Sequence, residues 1–145
     1  MSTVSDACLL LQSMFEDEWD TTTGGAVPVF TLEWFADNPE RTGTDGRTKE
    51  LRVISLQELS TVNIPASDGL DEVESSIQID VWAERRAVAT TMREEVKRIM
   101  RANASSPVTG VSFGYLSDWS DTTMMDGTDQ TYRFTATLDL MYEEE

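Results

Sequence analysis

The 145-residue chain contains no histidine. That absence removes Ser-His triads, histidine general bases and histidine metal ligands before any motif is read. Cysteine occurs once, at Cys8, which excludes an intrachain disulfide and a thiolate-based zinc site. Helical spacing puts Cys8 on or beside an apolar face, so it is read as inert packing. Lysine occurs only at Lys49 and Lys97, the other nine basic residues being arginine. Long apolar runs are missing too: the longest, Ala7–Leu11, is far too short to span a bilayer, and no basic leader precedes it. These absences predict a soluble protein of the cytoplasm, or of a particle assembled there, with no membrane partner.

What is abundant is acid. Twenty-seven Asp and Glu against 11 Lys and Arg give a formal net charge of -16. Self-repulsion at that charge opposes a compact state in dilute buffer. In molar salt the Debye length falls to ~3 Å, and exposed carboxylates hardly sense one another. An acid-rich, lysine-poor chain therefore fits a high-salt cytoplasm, such as that of a haloarchaeon or its virus. A soluble acidic domain of no special habitat, and an acidic decoy that imitates nucleic acid, are the other readings of the same charge. The charge is unevenly placed: residues 1–75 carry 15 acids and 4 bases, residues 76–145 carry 12 and 7, and Glu84–Ala102 is locally +3.

Hydrophobic periodicity sets out the elements. Val4, Ala7, Cys8, Leu11, Met14 and Phe15 follow helical spacing, with Thr3 as N-cap, and the acids from Glu16 to Asp20 predict a stop near Phe15. Thr21–Gly25 reads as a loop. Val27–Phe35 reads as a strand, Ala36–Lys49 as a polar loop, Leu51–Leu56 as a second strand and Ile64–Ser75 as a connector. Ile77, Ile79 and Val81 alternate with Gln78, Asp80 and Trp82, the pattern of a half-buried strand. Glu84–Ala102 is the strongest helix: Ala89, Met92, Val96 and Ile99 form a core stripe, and Arg86, Arg93, Lys97 and Arg101 form a ridge about 120° away. Asn103 suits a left-handed cap. Val111–Leu116 and Thr131–Tyr142 close the pattern as two strands, with a turn at Asp126-Gly127. The order predicts an α+β fold: an antiparallel or mixed β-sheet with two main helices packed on one face, in one domain spanning residues 1–145.

Four motifs bear on chemistry. Gly110-Val111-Ser112-Phe113-Gly114 spells the G-x-S-x-G nucleophile elbow, but without a histidine base or a following helix it reads as a strand. Asp118, Asp121, Asp126 and Asp129 offer clustered oxygens to a hard cation. However, Thr123 stands where an EF-hand needs glycine and no Glu closes the loop, so solvated turn acids are the reading and no metal or other cofactor is expected. Adjacent acids such as Glu94-Glu95 point apart on a helix and read as exposed solvating charge, and Asn103-Ala104-Ser105 is a glycosylation sequon by letters alone. With no catalytic constellation, an enzyme is not expected. The ridge Arg86, Arg93, Lys97 and Arg101 has three readings: a plain exposed helix face, a nucleic-acid stripe that the surrounding acid opposes, and a subunit contact. A contact between such unlike surfaces is head-to-tail and generates rings.

The stretch Ile77-Gln78-Ile79-Asp80-Val81-Trp82, the helix Glu84–Ala102, the strand Val111-Ser112-Phe113-Gly114-Tyr115, the Asp-rich loop and the closing Leu138-Asp139-Leu140-Met141-Tyr142-Glu143 together resemble the tail terminator proteins of long-tailed phages, the lambda-type minor tail protein among them. The resemblance covers residues 76–145 and extends loosely over residues 1–75. It is architectural, and the acid content and the Ala36–Lys49 loop depart from it. It implies a structural virion protein, a homo-oligomer forming a hexameric ring that caps the tail tube and joins the head connector at the neck, assembled in the host cytoplasm, with genome DNA passing through unbound. Tail-completion and head-closure neck proteins are the neighbouring expectation. An acidic DNA mimic that inhibits a host DNA-binding enzyme is the alternative from another class.

Overall fold

The computed structural model describes residues 7–32, 51–64, 71–103, 111–126 and 129–144. Seven strands and three helices follow in the order α1 (Ala7–Glu18), α2 (Thr21–Gly24), β1 (Val29–Thr31), β2 (Arg52–Ile64), β3 (Asp71–Ala83), α3 (Arg86–Asn103), β4 (Val111–Leu116), β5 (Ser120–Asp121), β6 (Met124–Asp126) and β7 (Asp129–Glu144). The main sheet has the order β1-β2-β3-β7-β4, with β5 and β6 also paired to β7. Among the described strands only the β1–β2 pair is parallel, so the sheet is mixed, and the α+β expectation holds.

One face of the sheet carries Ile54, Leu56, Ile77, Ile79, Val81, Phe134, Leu138 and Leu140, all buried against α1 and α3. The predicted stripe of α3 is the other half of this core: Ala89, Met92, Val96 and Ile99 are each fully buried. From α1, Ala7, Leu11, Met14 and Phe15 join them, and Cys8 is buried with them at 5% exposure. α1 lies over β2, whereas α3 lies over β3 and β7. Each fully buried Leu, Ile, Phe or Met contributes roughly 1.5–3 kcal/mol. This shared apolar layer is what holds the two helices on one face.

Several boundaries differ from the sequence reading. α1 runs to Glu18 rather than Phe15, because α3 supplies the donors its acidic end lacks: Arg98 Nη2 donates to the Glu18 carbonyl (2.8 Å) and Asn103 Nδ2 to the Glu18 carboxylate (2.9 Å). The same engagement leaves Asn103 as the last helical residue rather than a left-handed cap, and among described residues only Gly25 has positive φ. The expected loop at Thr21–Gly25 contains a helical turn, capped by the Asp20 carboxylate accepting from Thr22 N (2.8 Å). Glycine is required there. A Cβ on Gly24 would sit 2.7 Å from Glu95 Cγ, and Gly25 has φ 76°. Of the expected Val27–Phe35 strand, β1 takes Val29–Thr31 among the described residues, residues 33–35 lying outside them, while β2 is far longer than Leu51–Leu56. β3 begins at Asp71, inside the expected connector, because Asp71–Ser75 pairs with β7. The N-cap at Thr3 and the Ala36–Lys49 loop lie outside the described residues.

Candidate subunit interface

The ridge of α3 has a defined direction. Glu95 and Arg98 lie on the flank facing α1 and α2: the Glu95 carboxylate accepts from Asp20 N (2.7 Å), Thr23 Oγ1 (2.8 Å) and two nitrogens of Arg98 (2.7 and 2.8 Å). At ~100° per residue, Arg86, Arg93, Lys97 and Arg101 fall on the far flank. Arg86 pairs there with Asp121 of β5 (2.9 Å), and the Arg86 and Arg93 guanidiniums stand 5.5 and 4.6 Å from the Phe134 ring centroid. The ridge therefore looks outward on the side of β7 that carries β4 and β5.

Within the ridge the four residues are held differently. Arg93 and Lys97 share the Glu94 carboxylate (3.1 and 3.5 Å). Arg86 keeps a side-chain exposure of 60% despite its partner. Arg101 is exposed and has no hydrogen bond or ion pair among the described residues. The structure thus brings all four onto one flank and leaves its two ends, Arg86 and Arg101, the most open to solvent.

Glu95 corrects the reading of Glu94-Glu95 as exposed charge: its side chain is wholly buried. Hydrogen bonding from Arg98, followed by the Asp20 and Thr23 donors, outweighs burial and lowers its pKa from 4.5 to about 2. The partner's pKa is raised, first by the hydrogen bond to Glu95. The i,i+3 spacing of Glu95 and Arg98 was visible in the sequence, but the donors from Asp20 and Thr23 come from more than 70 residues away.

Asp80 is a second correction. The alternation placed it on a solvated face, yet it is buried and accepts from Arg133 Nε (2.9 Å) and Gln78 Nε2 (2.7 Å). Arg133 stacks over Trp82 (4.6 Å), and Trp82 Nε1 donates to Ser55 Oγ (3.1 Å). Leu51, Val53 and Trp82 form a small second core on this face.

The Asp-rich loop is built as sheet edge: β5 pairs with Thr135 and Phe134, and β6 forms a hairpin with β7. Asp121 accepts from Thr123 Oγ1 and N and from Arg86, which lowers its pKa to about 2, the Thr123 bonds first. Among the described residues no group of three His, Cys, Asp or Glu side chains is placed to hold a metal ion. Ser112 lies within β4 rather than at a strand-to-helix turn, and the Asn103 amide is engaged with Glu18. No described helix is long and apolar enough to cross a membrane. On the helix-free face a cleft of about 360 Å³ is lined by Ser60, Val62, Glu74, Ser76, Asp139 and Met141, among others.

Comparison with known protein families and with curated proteins returns no match for this chain.

Proposed function

We propose that this protein is a structural, ring-forming subunit of a tailed virus, a tail terminator that closes the tail tube and joins it to the head connector, suited to a salt-rich host. The observation that carries the reading is the outward cationic flank of α3 in a chain of net charge -16. Such a flank is complementary to the rest of the molecule's surface, so where copies touch it favours unlike surfaces meeting head-to-tail, an arrangement that forms a ring when the rotation between copies closes. The α+β layout, with α3 between β3 and β4 and both main helices on one face, supports the resemblance on which the reading began. An acidic ring also suits DNA passage, because excess carboxylate repels phosphate.

Mass measurement of the full chain in molar KCl, followed by imaging of virions, tests this. The expected result is a closed oligomer, located at the neck, with negligible affinity for duplex DNA even at low salt. A monomer or dimer that instead captures a DNA-binding enzyme would establish the acidic-mimic alternative. A position elsewhere in the neck would select the tail-completion or head-closure reading.

A further inference from the structure

The register of the sheet divides it into two zones. In one, Phe30, Ile54, Val81, Phe134 and Asp121 stand side by side across five strands, and Thr31, Ser55, Asp80, Thr135 and Ser120 form the adjacent row. There β1 covers the outer edge of β2 and β5 covers the outer edge of β7. In the other zone the rows are Thr61-Ser75-Leu140-Phe113, Val62-Glu74-Met141-Ser112 and Asn63-Val73-Tyr142-Val111. Among the described residues these rows have no strand beyond β2 on one side or beyond β4 on the other. Among the described residues both edges of the sheet are thus open at the same level.

Exposed edges of soluble proteins are normally blunted by lysine, proline, inward charge or β-bulges. Each of these edges has a register shift, at Glu58/Ser60 in β2 and at Phe113/Leu116 in β4, but neither has lysine or proline within the strand and charge is sparse. The open part of β2, Gln57–Ile64, holds one charged residue, Glu58, and β4 holds none, in a chain that is 26% charged. β2 also presents Leu59 and Val62, which are 50% and 55% exposed. Strand directions match as well. β2 and β7 run one way and β3 and β4 the other, so a β4 placed outside β2 continues the antiparallel alternation.

The helical layer repeats this complementarity in charge. On the β4 side stands the cationic flank of α3, with Arg86 and Arg101 exposed. On the β2 side stands α1, with Glu16 and Asp17 exposed. We infer that the open edge of β2 receives β4 of a second copy of this chain, so that the sheet continues from subunit to subunit and the α3 ridge of one copy faces α1 of the next. This deepens the ring reading above and rests on its self-association alone, not on the viral role. The contact is heterologous, because two different edges meet.

Single-cysteine variants of the full chain, made on a Cys8→Ala background, test it in molar KCl under mild oxidation. Ser112→Cys mixed with Val62→Cys should give a disulfide-linked dimer that neither variant gives alone, and the two substitutions in one chain should give a ladder of linked oligomers. Phe113→Cys with Thr61→Cys is the second pair, for use if the first substitutions impair folding as judged by circular dichroism. Assembly by light scattering without either cross-link overturns this contact and leaves the ring reading in place. Cross-linking of Val62→Cys with itself alone overturns the contact in favour of a two-fold edge pairing. A chain that stays monomeric overturns both.

Discussion

Glu95 is the residue on which the α1–α2 corner depends. Its carboxylate, itself buried, satisfies the Asp20 amide, the Thr23 hydroxyl and the Arg98 guanidinium at once. With a folded pKa of about 2 against an ordinary 4.5, it stabilises the fold fully above pH 4.5, and that contribution is lost as the pH falls towards 2. Glu95→Gln should therefore cost on the order of 2–3 kcal/mol at neutral pH and flatten the acid limb of the stability profile. Urea unfolding at several pH values measures both. Asp121 is shifted in the same direction, from 3.8, but it lies in solvent, where screening leaves it little share of the acid limb. Asp80→Ala removes the buried carboxylate that accepts from Arg133, Gln78 and Thr135, and should cost about 3 kcal/mol by the same measurement. Met92→Ala, in a fully buried position of α3, should cost about 2–5 kcal/mol through the cavity it leaves.

Among the elements, α3 was the most legible. Its core stripe follows from spacing alone, because a helix that must bury one face against a sheet repeats its apolar residues at that interval. β7 was legible for the corresponding reason, with Phe134, Ala136, Leu138 and Leu140 alternating inward. The turn of α2 was not, since Thr-Thr-Thr-Gly-Gly has the composition of a loop and its helical geometry depends on Asp20 and on packing of Gly24 against Trp19 and Glu95. Asp20→Ala should cost about 0.5–2 kcal/mol by removing the cap, read as a lowered urea midpoint. The full lengths of β2 and β3 were hidden too. Ser60–Ile64 and Asp71–Ser75 are polar enough to pass for connectors, and only their pairing with each other and with β7 makes them strands.

At the scale of the whole molecule, charge and shape act together. A net charge of -16 destabilises the compact state by self-repulsion that salt screens. Melting temperature should therefore rise steadily from dilute buffer to molar KCl, and a curve flat in salt would remove the argument for a salt-rich habitat. The same screening weakens the attraction between the α3 ridge and acidic surfaces. Assembly that persists in molar salt must then draw on contacts that salt does not screen, such as backbone pairing along the open sheet edges.

The sequence by itself determined the two-layer α+β class, the buried stripes of α3 and β7, the packing of Cys8 on the apolar face of α1 and the existence of a basic ridge. Each follows from periodicity or from residue counts, which are local properties of the chain. Tertiary structure alone decided that Glu95 and Asp80 are buried, that the ridge faces away from α1, and that, among the described residues, β2 and β4 have no strand beyond them at one level of the sheet. These depend on which distant residues become neighbours. Burial of a charge is tolerated only where remote donors converge on it, and an edge is open only where no other segment lies alongside it.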